Sequence, residues 1–288
     1  MSAASDSLEG LRREIDGIDD QIHDLLMRRT AVVVNIARVK ESGLGAAYQP
    51  AREADLVRRL LARHRGPFPR RALVRLWREL LGATTRLQSD FGVTVYRTEE
   101  ATGYWDLARD HYGSETPIIA HSSSAQVIAA VAEGTATVGV LPMPQEDDAQ
   151  AWWPTLVGPD PNMPRVIARL PFVAHDRGAS AEALAIARTS AEPTGDDRSL
   201  FAIEAAPQMS RARLHEAMTE AGLEISLLLA QDGAESDPMR MHLVDMGGCL
   251  DGDDPRLAEL RQKGGRAIGR MARIGGYAAP IPLRSVAD

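Results

Sequence analysis

The feature that most constrains the fold is a heptad repeat of apolar residues in the first 40 positions. The repeat steps by three and four residues, with one wider gap, through Leu8, Leu11, Ile15, Ile18, Ile22, Leu25, Val32, Ile36 and Val39. No proline interrupts it, so it predicts one helix of roughly 50 Å at 1.5 Å per residue. A lone helix cannot bury such a seam, which predicts pairing with a second long helix, most simply another copy of this chain.

Two cations lie on this apolar face. Arg29 fills the seam position between Leu25 and Val32. Lys40 follows eleven residues later, about 20° around the helix and roughly 16 Å along it. A buried unpaired cation costs several kcal/mol. Taken alone, Arg29 is better explained as a register-setting polar residue, or as an arginine that extends its charge to water, than as a ligand-binding residue.

Two shorter helices are predicted after the breaks at residues 43–50 and 66–69, and they add three polar residues on apolar faces. Glu53 lies four residues before the apolar Val57. Thr84 and Gln88 continue the apolar side of the third helix at steps of four. Together with the two cations, they predict a polar pocket inside a helical bundle. Two cations in such a pocket favour a small anion, most simply a di-acid.

Composition and charge argue against several classes of function. The chain has 288 residues, 44% hydrophobic and 25% charged, with a single cysteine, Cys249. Residues 1–90 carry 15 Arg and one Lys against 12 acidic residues, too balanced a mixture to predict nucleic-acid binding. No apolar run is long enough to span a membrane and no secretory signal is visible, so a cytoplasmic location is expected. No thiol, Ser–His pair or His cluster accompanies the pocket, which argues against nucleophilic and metal chemistry.

The residues about 7–90 resemble the all-helical (type II) chorismate mutase family. Three blocks carry the resemblance, and their joint order and spacing are more specific than any one of them: 11–16 with 25–29, Lys40 to Glu53, and 77–81 with Thr84 and Gln88. The resemblance implies a homodimer built on the long first helix. It also implies the [3,3]-sigmatropic rearrangement of chorismate to prephenate in phenylalanine and tyrosine biosynthesis, without cofactor, metal or covalent intermediate.

The family roles transfer residue by residue. The resemblance implies that Arg29 holds one substrate carboxylate and that Arg12 of the partner subunit holds the other. It also implies that Lys40 and Gln88 donate hydrogen bonds to the ether oxygen, where negative charge grows as the bond breaks. The spacing agrees with the Arg12 role, since 17 residues place it about 100° around the helix from Arg29.

The remaining roles and two departures concern the second and third helices. The resemblance implies that Glu53 binds the ring hydroxyl with Arg52 nearby, and that Thr84, at a position where Ser is common, lines the carboxylate site. Gln49 stands where Asp is frequent. Two other functions stay open: an isochorismate pyruvate lyase, which shares this fold, and a non-catalytic regulator that binds metabolites and acts on a partner enzyme.

Residues 91–190 resemble part of a prephenate dehydratase domain, truncated to about one α/β lobe. A strand at 92–96, a helix at 104–113 and a helix–strand step at 122–141 carry the resemblance. The Thr-Arg-Phe catalytic motif of that family aligns best with Ala181, Glu182 and Ala183. Loss of the hydroxyl and the guanidinium predicts that prephenate is not dehydrated.

Residues 191–288 resemble an ACT domain, a small βαββαβ effector-binding module. In dehydratases, two segments of this module bind phenylalanine. The corresponding segments of this chain, 209–212 and 229–232, have different residues, so a structural role is expected for the module. The predicted architecture is therefore α plus α/β. It comprises an all-α three-helix mutase-like domain at 1–90 that dimerises, a truncated α/β lobe at 91–190 and an ACT-like domain at 191–288.

Overall fold

The computed structural model describes residues 7–40, 48–146, 148, 151–158, 160, 162–174, 181–231 and 239–282. It divides into two compact units. The first, here called the α1 unit, comprises Met1–Tyr48 and Ala83–Asp90. The second, the sheet unit, comprises Gln49–Gly82 and Phe91–Asp288.

The heptad seam forms one helix, as predicted. Helix α1 runs over Leu8–Lys40, 33 residues, and begins where the Ser7 hydroxyl accepts a hydrogen bond from the Gly10 amide at 3.0 Å. The seam side chains remain exposed along the chain, between 39% at Ile36 and 65% at Leu8. Helix propensity and local capping therefore favour α1. The apolar surface whose burial would offset the entropic cost of ordering this helix remains exposed to water.

Helices α2 (Pro50–Arg63) and α3 (Arg70–Arg86) follow, separated by a turn at Gly66, whose φ of +88° favours glycine. Pro50 occupies the first turn of α2, where its missing N–H leaves no donor unsatisfied. The buried face of α2 packs on Phe172 and Val173, so this helix shares its core with the α/β part of the sheet unit.

A nine-stranded sheet forms the body of the sheet unit, in the order β2-β1-β3-β5-β4-β9-β6-β8-β7. Its first half is a small α/β lobe in which β1 pairs in parallel with β2 and β3, while β5 pairs antiparallel with β3 and β4. The elements of the lobe are β1 (Val93–Tyr96), α4 (Gly103–Tyr112), β2 (Ile118–His121), α5 (Ser124–Glu133), β3 (Val138–Pro142), β4 (Arg165–Leu170) and β5 (Ala183–Ala187).

The second half of the sheet has the predicted βαββαβ order. Its strands lie in the order β9-β6-β8-β7, and both helices pack on one face through their own buried residues Leu214, Met218, Leu257 and Leu260. The elements are β6 (Asp197–Ala205), α6 (Arg211–Glu220), β7 (Ile225–Gln231), β8 (Arg240–Gly247), α7 (Pro255–Gly264) and β9 (Ile268–Ala278). Two 3₁₀ turns complete the chain, at Trp153–Leu156 and Gly265–Ala267. The predicted fold class, an α region followed by α/β, is confirmed.

The two halves of the sheet meet where β4 lies parallel to β9, with Val166 opposite Gly275. A Cβ at Gly275 would lie 2.2 Å from the Val166 carbonyl oxygen, so only glycine permits this approach. The shared core on one face of the sheet continues across the join and includes Trp153, Ile186 and Ile274. The lobe and the βαββαβ module therefore form one sheet.

Candidate active site

Arg29 has an unusual environment for a guanidinium. It is half-buried on α1, and its Nη1 donates a hydrogen bond to the Thr84 hydroxyl at 3.3 Å. Among the described residues it makes no ion pair with a carboxylate. Burial alone lowers the pKa of Arg29 from its ordinary value. A half-buried cation whose described partner is neutral has its charge available for an anionic ligand.

Gln88 lies beside the same threonine. Its side-chain nitrogen donates to the Thr84 carbonyl oxygen at 3.1 Å, and its backbone amide donates to the Thr85 carbonyl at 3.0 Å. Both bonds hold Gln88 against the end of α3. Thus three of the residues predicted from the sequence, Arg29, Thr84 and Gln88, lie together within the α1 unit.

Glu53 belongs to the sheet unit and has a partner that the sequence analysis did not predict. Its carboxylate accepts a hydrogen bond from Arg78 at 3.0 Å, and Arg78 is only 4% exposed. Burial raises the pKa of Glu53 to about 7, against the opposing effect of the Arg78 charge and hydrogen bond. A signal for Arg78 was present in the sequence, since it lies four residues after Val74 and three before Leu81 on the apolar side of α3.

The other predicted site residues are less constrained. Gln49 is the N-cap residue of α2, although its side chain makes no capping bond, and its carbonyl accepts from the Glu53 amide at 3.1 Å. Arg52 and Arg12 are exposed on α2 and α1. Lys40 is the last residue of α1, and its side chain lies outside the described part of the structure.

The residue at the position aligned with the dehydratase motif makes contacts that stabilise the sheet. Glu182 directly precedes β5 and accepts two hydrogen bonds from the Arg169 guanidinium on β4, at 3.0 and 3.1 Å. Burial lowers the pKa of Arg169, but the contacts with Tyr277 and Glu182 together outweigh burial and raise this pKa. This segment therefore ties neighbouring strands together through a bidentate ion pair.

A second charged network crosses the βαββαβ module. The fully buried Asp245 accepts hydrogen bonds from Arg198 at 2.7 Å and from the Tyr277 hydroxyl. Arg198 also donates to Glu224 at 2.9 Å. Burial, followed by the Asp245 charge and hydrogen bond, raises the pKa of Tyr277. Every charge in this network has an opposite partner, as stable buried ion pairs require.

The order of these residues along the chain matches a known domain family. The family model described as "Chorismate mutase type II" matches residues 11–89. Residues 11–89 are thus a type II chorismate mutase domain, as the sequence resemblance predicted. In the described part of the chain, no cluster of three or more His, Cys, Asp or Glu side chains could hold a metal ion.

The similar curated proteins combine this domain with a second one. The bifunctional chorismate mutase/prephenate dehydratase of Pseudomonas aeruginosa is 29% identical over 146 residues, 49% of this chain and 40% of that protein. The protein of the same description from Stutzerimonas stutzeri is 30% identical over 148 residues, 50% of this chain and 40% of its own length. The aligned region therefore spans less than half the length of either relative.

Solved structures show the fold of the larger part of the chain. A prephenate dehydratase from Staphylococcus aureus superposes with a TM-score of 0.50 and 10% identity, over 65% of this chain and 100% of that one. A protein described as GqqA, a quorum quenching acylase, gives a TM-score of 0.50 and 15% identity over 65% and 95% of the two chains. At such identities the similarity is one of fold alone. Among the described helices, none has both the length and the apolar character to cross a membrane.

Proposed function

We propose that this chain is a chorismate mutase that converts chorismate to prephenate in the cytoplasmic biosynthesis of aromatic amino acids. The observation that carries the proposal is the half-buried Arg29, whose described partner is the neutral hydroxyl of Thr84 rather than a carboxylate. Chorismate is a dicarboxylate, so one of its carboxylates supplies the counter-ion that Arg29 lacks among the described residues.

The rearrangement needs orientation and charge stabilisation rather than a nucleophile. Arg29 and Thr84 bind one carboxylate, and this contact selects the reactive chair of the flexible enolpyruvyl ether. Gln88 donates an amide hydrogen to the ether oxygen, together with Lys40, as the C–O bond breaks and negative charge grows there. Because Gln88 is held against the end of α3, little reorganisation of this donor accompanies the charge movement.

The ring hydroxyl is the third point of attachment. In this proposal Glu53, as a carboxylate, accepts a hydrogen bond from the hydroxyl. Arg52 lies on the same helix, and Gln49 is the N-cap residue of that helix. A pKa of about 7 makes the ionised fraction of Glu53 sensitive to pH within the physiological range.

A homodimer through α1 completes the proposal. The exposed seam of α1 is the kind of surface that a second identical helix covers, because a twofold pairing places the same heptad positions against each other. Such a dimer also allows Arg12 of one subunit to hold the second carboxylate in the site of the other.

The pairing is tested by a matched pair of substitutions on opposite faces of α1. Ile18→Glu introduces a charge into the seam, and Met27→Glu introduces the same charge at an exposed position about 180° away. By light scattering, we expect Met27→Glu and the unaltered chain to have twice the chain mass of 31.2 kDa, and Ile18→Glu to dissociate. An unaltered chain of monomer mass would contradict the pairing.

We also propose that the α/β lobe does not dehydrate prephenate. The supporting observation is that Glu182 occupies the position of the catalytic motif and is engaged by Arg169 in a bidentate ion pair. Incubation of the chain with prephenate at neutral pH should yield no phenylpyruvate above the uncatalysed rate. Enzyme-like formation of phenylpyruvate would contradict this part of the proposal.

The main proposal is tested with purified protein, chorismate and no added metal or nucleotide. We expect chorismate absorbance to fall and prephenate to appear in equal amount by mass spectrometry. A parallel incubation with isochorismate distinguishes the lyase, which would release pyruvate and salicylate. Absence of chorismate turnover at neutral pH would contradict the mutase assignment.

A further inference from the structure

Phe172 brings the α/β lobe into contact with the two helices that follow α1. It is buried and lies two residues beyond the end of β4. Its backbone is fixed, because its carbonyl accepts a hydrogen bond from the Ile281 amide at 2.8 Å. The guanidinium groups of Arg58 on α2 and Arg78 on α3 lie over its ring, 5.8 and 5.5 Å from the ring centroid. One aromatic ring of the lobe therefore packs against a cation from each helix.

The two cations differ in their other contacts. Arg58 donates three hydrogen bonds to the segments just before β6 and just after β9, so it ties α2 to the sheet. Arg78 is buried and donates to the Glu53 carboxylate at 3.0 Å. The cation that the Phe172 ring supports on α3 is therefore the one that contacts a residue of the proposed mutase site.

Arg78 holds Glu53 by one of its two carboxylate oxygens. The bond runs from Nη1 of Arg78 to Oε2 of Glu53. Among the described residues, none donates a hydrogen bond to Oε1. A carboxylate can accept on both oxygens, so Oε1 remains available for the ring hydroxyl of the proposed substrate. The position of the Arg78 guanidinium thus decides where this second oxygen points.

We propose that Arg78 and Phe172 are positioning residues for the mutase reaction: Phe172 fixes the Arg78 guanidinium, and Arg78 directs the second oxygen of Glu53 toward the ring hydroxyl. This inference rests on the proposed function and deepens it. An acceptor that is already oriented lowers the entropic cost of reaching the reactive geometry. The α/β lobe then contributes to the reaction of the helical region through a contact, without chemistry of its own.

The same contact controls the ionisation of Glu53. Burial raises the pKa of Glu53, and the charge and hydrogen bond of Arg78 oppose this rise, so their loss raises the pKa further. His111 on α4 adds no charge near pH 7, because burial and Arg78 hold its pKa well below the ordinary value. The other charged side chains around Arg78 and Phe172 are Arg58, Arg71, Arg75, Asp110, Arg169 and Glu192. Among the described charges, only Arg78 shifts the pKa of Glu53.

Two substitutions test the two links, each with a matched control. Arg78→Gln removes the cation, and Phe172→Leu removes the ring but keeps both charges. The controls make the same changes in the βαββαβ module: Arg198→Gln at another ion-paired arginine and Phe201→Leu at another buried phenylalanine. Circular dichroism establishes that each variant is folded. Phe172→Leu carries the test by itself if Arg78→Gln does not fold.

The pH profile of turnover distinguishes positioning from packing. We expect the acid limb of kcat/KM for chorismate to move to higher pH, by at least about one unit in Arg78→Gln and by less in Phe172→Leu. The loss of turnover should therefore be several-fold at pH 7 and smaller at pH 9, with the profiles of both controls unchanged. An equal loss at every pH in both variants would reduce the two residues to packing and overturn the inference.

Titration of the Glu53 carboxyl by carbon-13 NMR separates this inference from the proposed function. The signal is identified by its absence in Glu53→Gln. We expect a pKa of about 7 in the unaltered chain and a higher pKa in Arg78→Gln and Phe172→Leu. If the unaltered chain does not act on chorismate, the proposed function fails, and the titration still decides whether Arg78 and Phe172 control Glu53. An unchanged pKa in both folded variants would overturn the inference even in a chain that turns over chorismate.

Discussion

Arg29 in the α1 unit and Arg198 in the sheet unit are both half-buried, yet their partners differ in kind. The described partner of Arg29 is a neutral hydroxyl, and burial alone lowers its pKa. Arg198 donates to the buried Asp245 and to Glu224. Burial lowers the pKa of Arg198, but these partners together outweigh burial and raise this pKa. The first arginine is suited to an incoming anion, and the second is already neutralised.

The comparison extends to the two regions that carry them. In the βαββαβ module, Arg198, Asp245 and Tyr277 serve the fold, because each of them meets an opposite charge or a hydrogen-bond partner on another strand. In the helical region, the heptad seam is exposed and Arg29 faces a hydroxyl. The proposed dimer and the proposed substrate contact rest on these two features of the α1 unit.

The largest expected effect is loss of turnover in Arg29→Gln. The substitution removes the charge that holds a substrate carboxylate and keeps a shorter, neutral polar side chain. We expect kcat/KM for chorismate to fall by about a thousandfold, as for loss of a positioned charged donor. The thermal midpoint should change little, since no carboxylate among the described residues loses its counter-ion. If the turnover of Arg29→Gln stayed within about threefold of that of the unaltered chain, Arg29 would not differ from Arg198 in its role.

Gln88→Glu sharpens the contrast by placing a charge where the account requires a neutral donor. A neutral amide donates at every pH, whereas a glutamate donates only when protonated. At pH 7.5 we expect a loss of roughly a hundredfold to thousandfold in kcat. The ratio of variant to unaltered turnover, measured at each pH, should rise as the pH falls toward 5. A ratio near one that is flat with pH would show that Gln88 does not contact the ether oxygen.

Arg198→Gln tests the other arginine. It leaves the fully buried Asp245 with the Tyr277 hydroxyl but without its cation, and stranding a buried charge costs about 3 kcal/mol. We expect urea unfolding to show this loss, with chorismate turnover per folded molecule unchanged at 25 °C. Arg213→Gln, at an exposed position on α6, is the matched control and should change neither quantity. Equal stability of Arg198→Gln and the control would show that the network contributes little.

The Glu53–Arg78 pair is an intermediate case, since it combines a buried ion pair with a proposed role in binding. Burial raises the pKa of Glu53 to about 7. Turnover that needs the carboxylate should therefore fall about tenfold between pH 8 and pH 6. Glu53→Gln should lower turnover and remove this acid limb. An acid limb that persists unchanged in Glu53→Gln would assign the titration to another group.

The same shift has a consequence for stability with a defined sign. The folded chain holds the Glu53 proton up to a pKa of about 7, whereas the ordinary pKa of a glutamate is 4.5. The stabilising contribution of protonated Glu53 is full below the lower value and is lost as the pH rises toward 7. Urea unfolding of the unaltered chain and of Glu53→Gln at pH 5 and pH 8 measures this difference.

Sequence periodicity was sufficient to predict α1, and the resemblance to an ACT domain predicted the βαββαβ module. The seam of α1 repeats over nine apolar positions, and the module alternates strands and helices of ordinary length. The strands Ile118–His121, Arg165–Leu170 and Ala183–Ala187 were not predicted one by one. They are only four to six residues long, and Ala183–Ala187 is buried throughout, so it lacks the alternation that marks a half-exposed strand.

The candidate site was predictable in part. The helical spacing of Arg29, Thr84 and Gln88 and their order along the chain predicted that they lie on facing sides, and the structure brings them together. Arg78 was missed, because the partner of a buried carboxylate depends on tertiary packing, here of α2 and α3 on Phe172. The division into 1–90, 91–190 and 191–288 stays a prediction, since the compact units group α2 and most of α3 with the sheet.

Equilibrium binding of a rigid bicyclic diacid, shaped like the chair of the rearranging substrate, tests the central claim most directly. Binding does not depend on which later step limits turnover, and the diacid carries the two carboxylates that the account assigns to arginines. We expect the unaltered chain and Arg198→Gln to bind it with equal affinity, and Arg29→Gln to bind it about a hundredfold more weakly. Undiminished binding to folded Arg29→Gln would contradict the claim that Arg29 receives its counter-ion from the substrate.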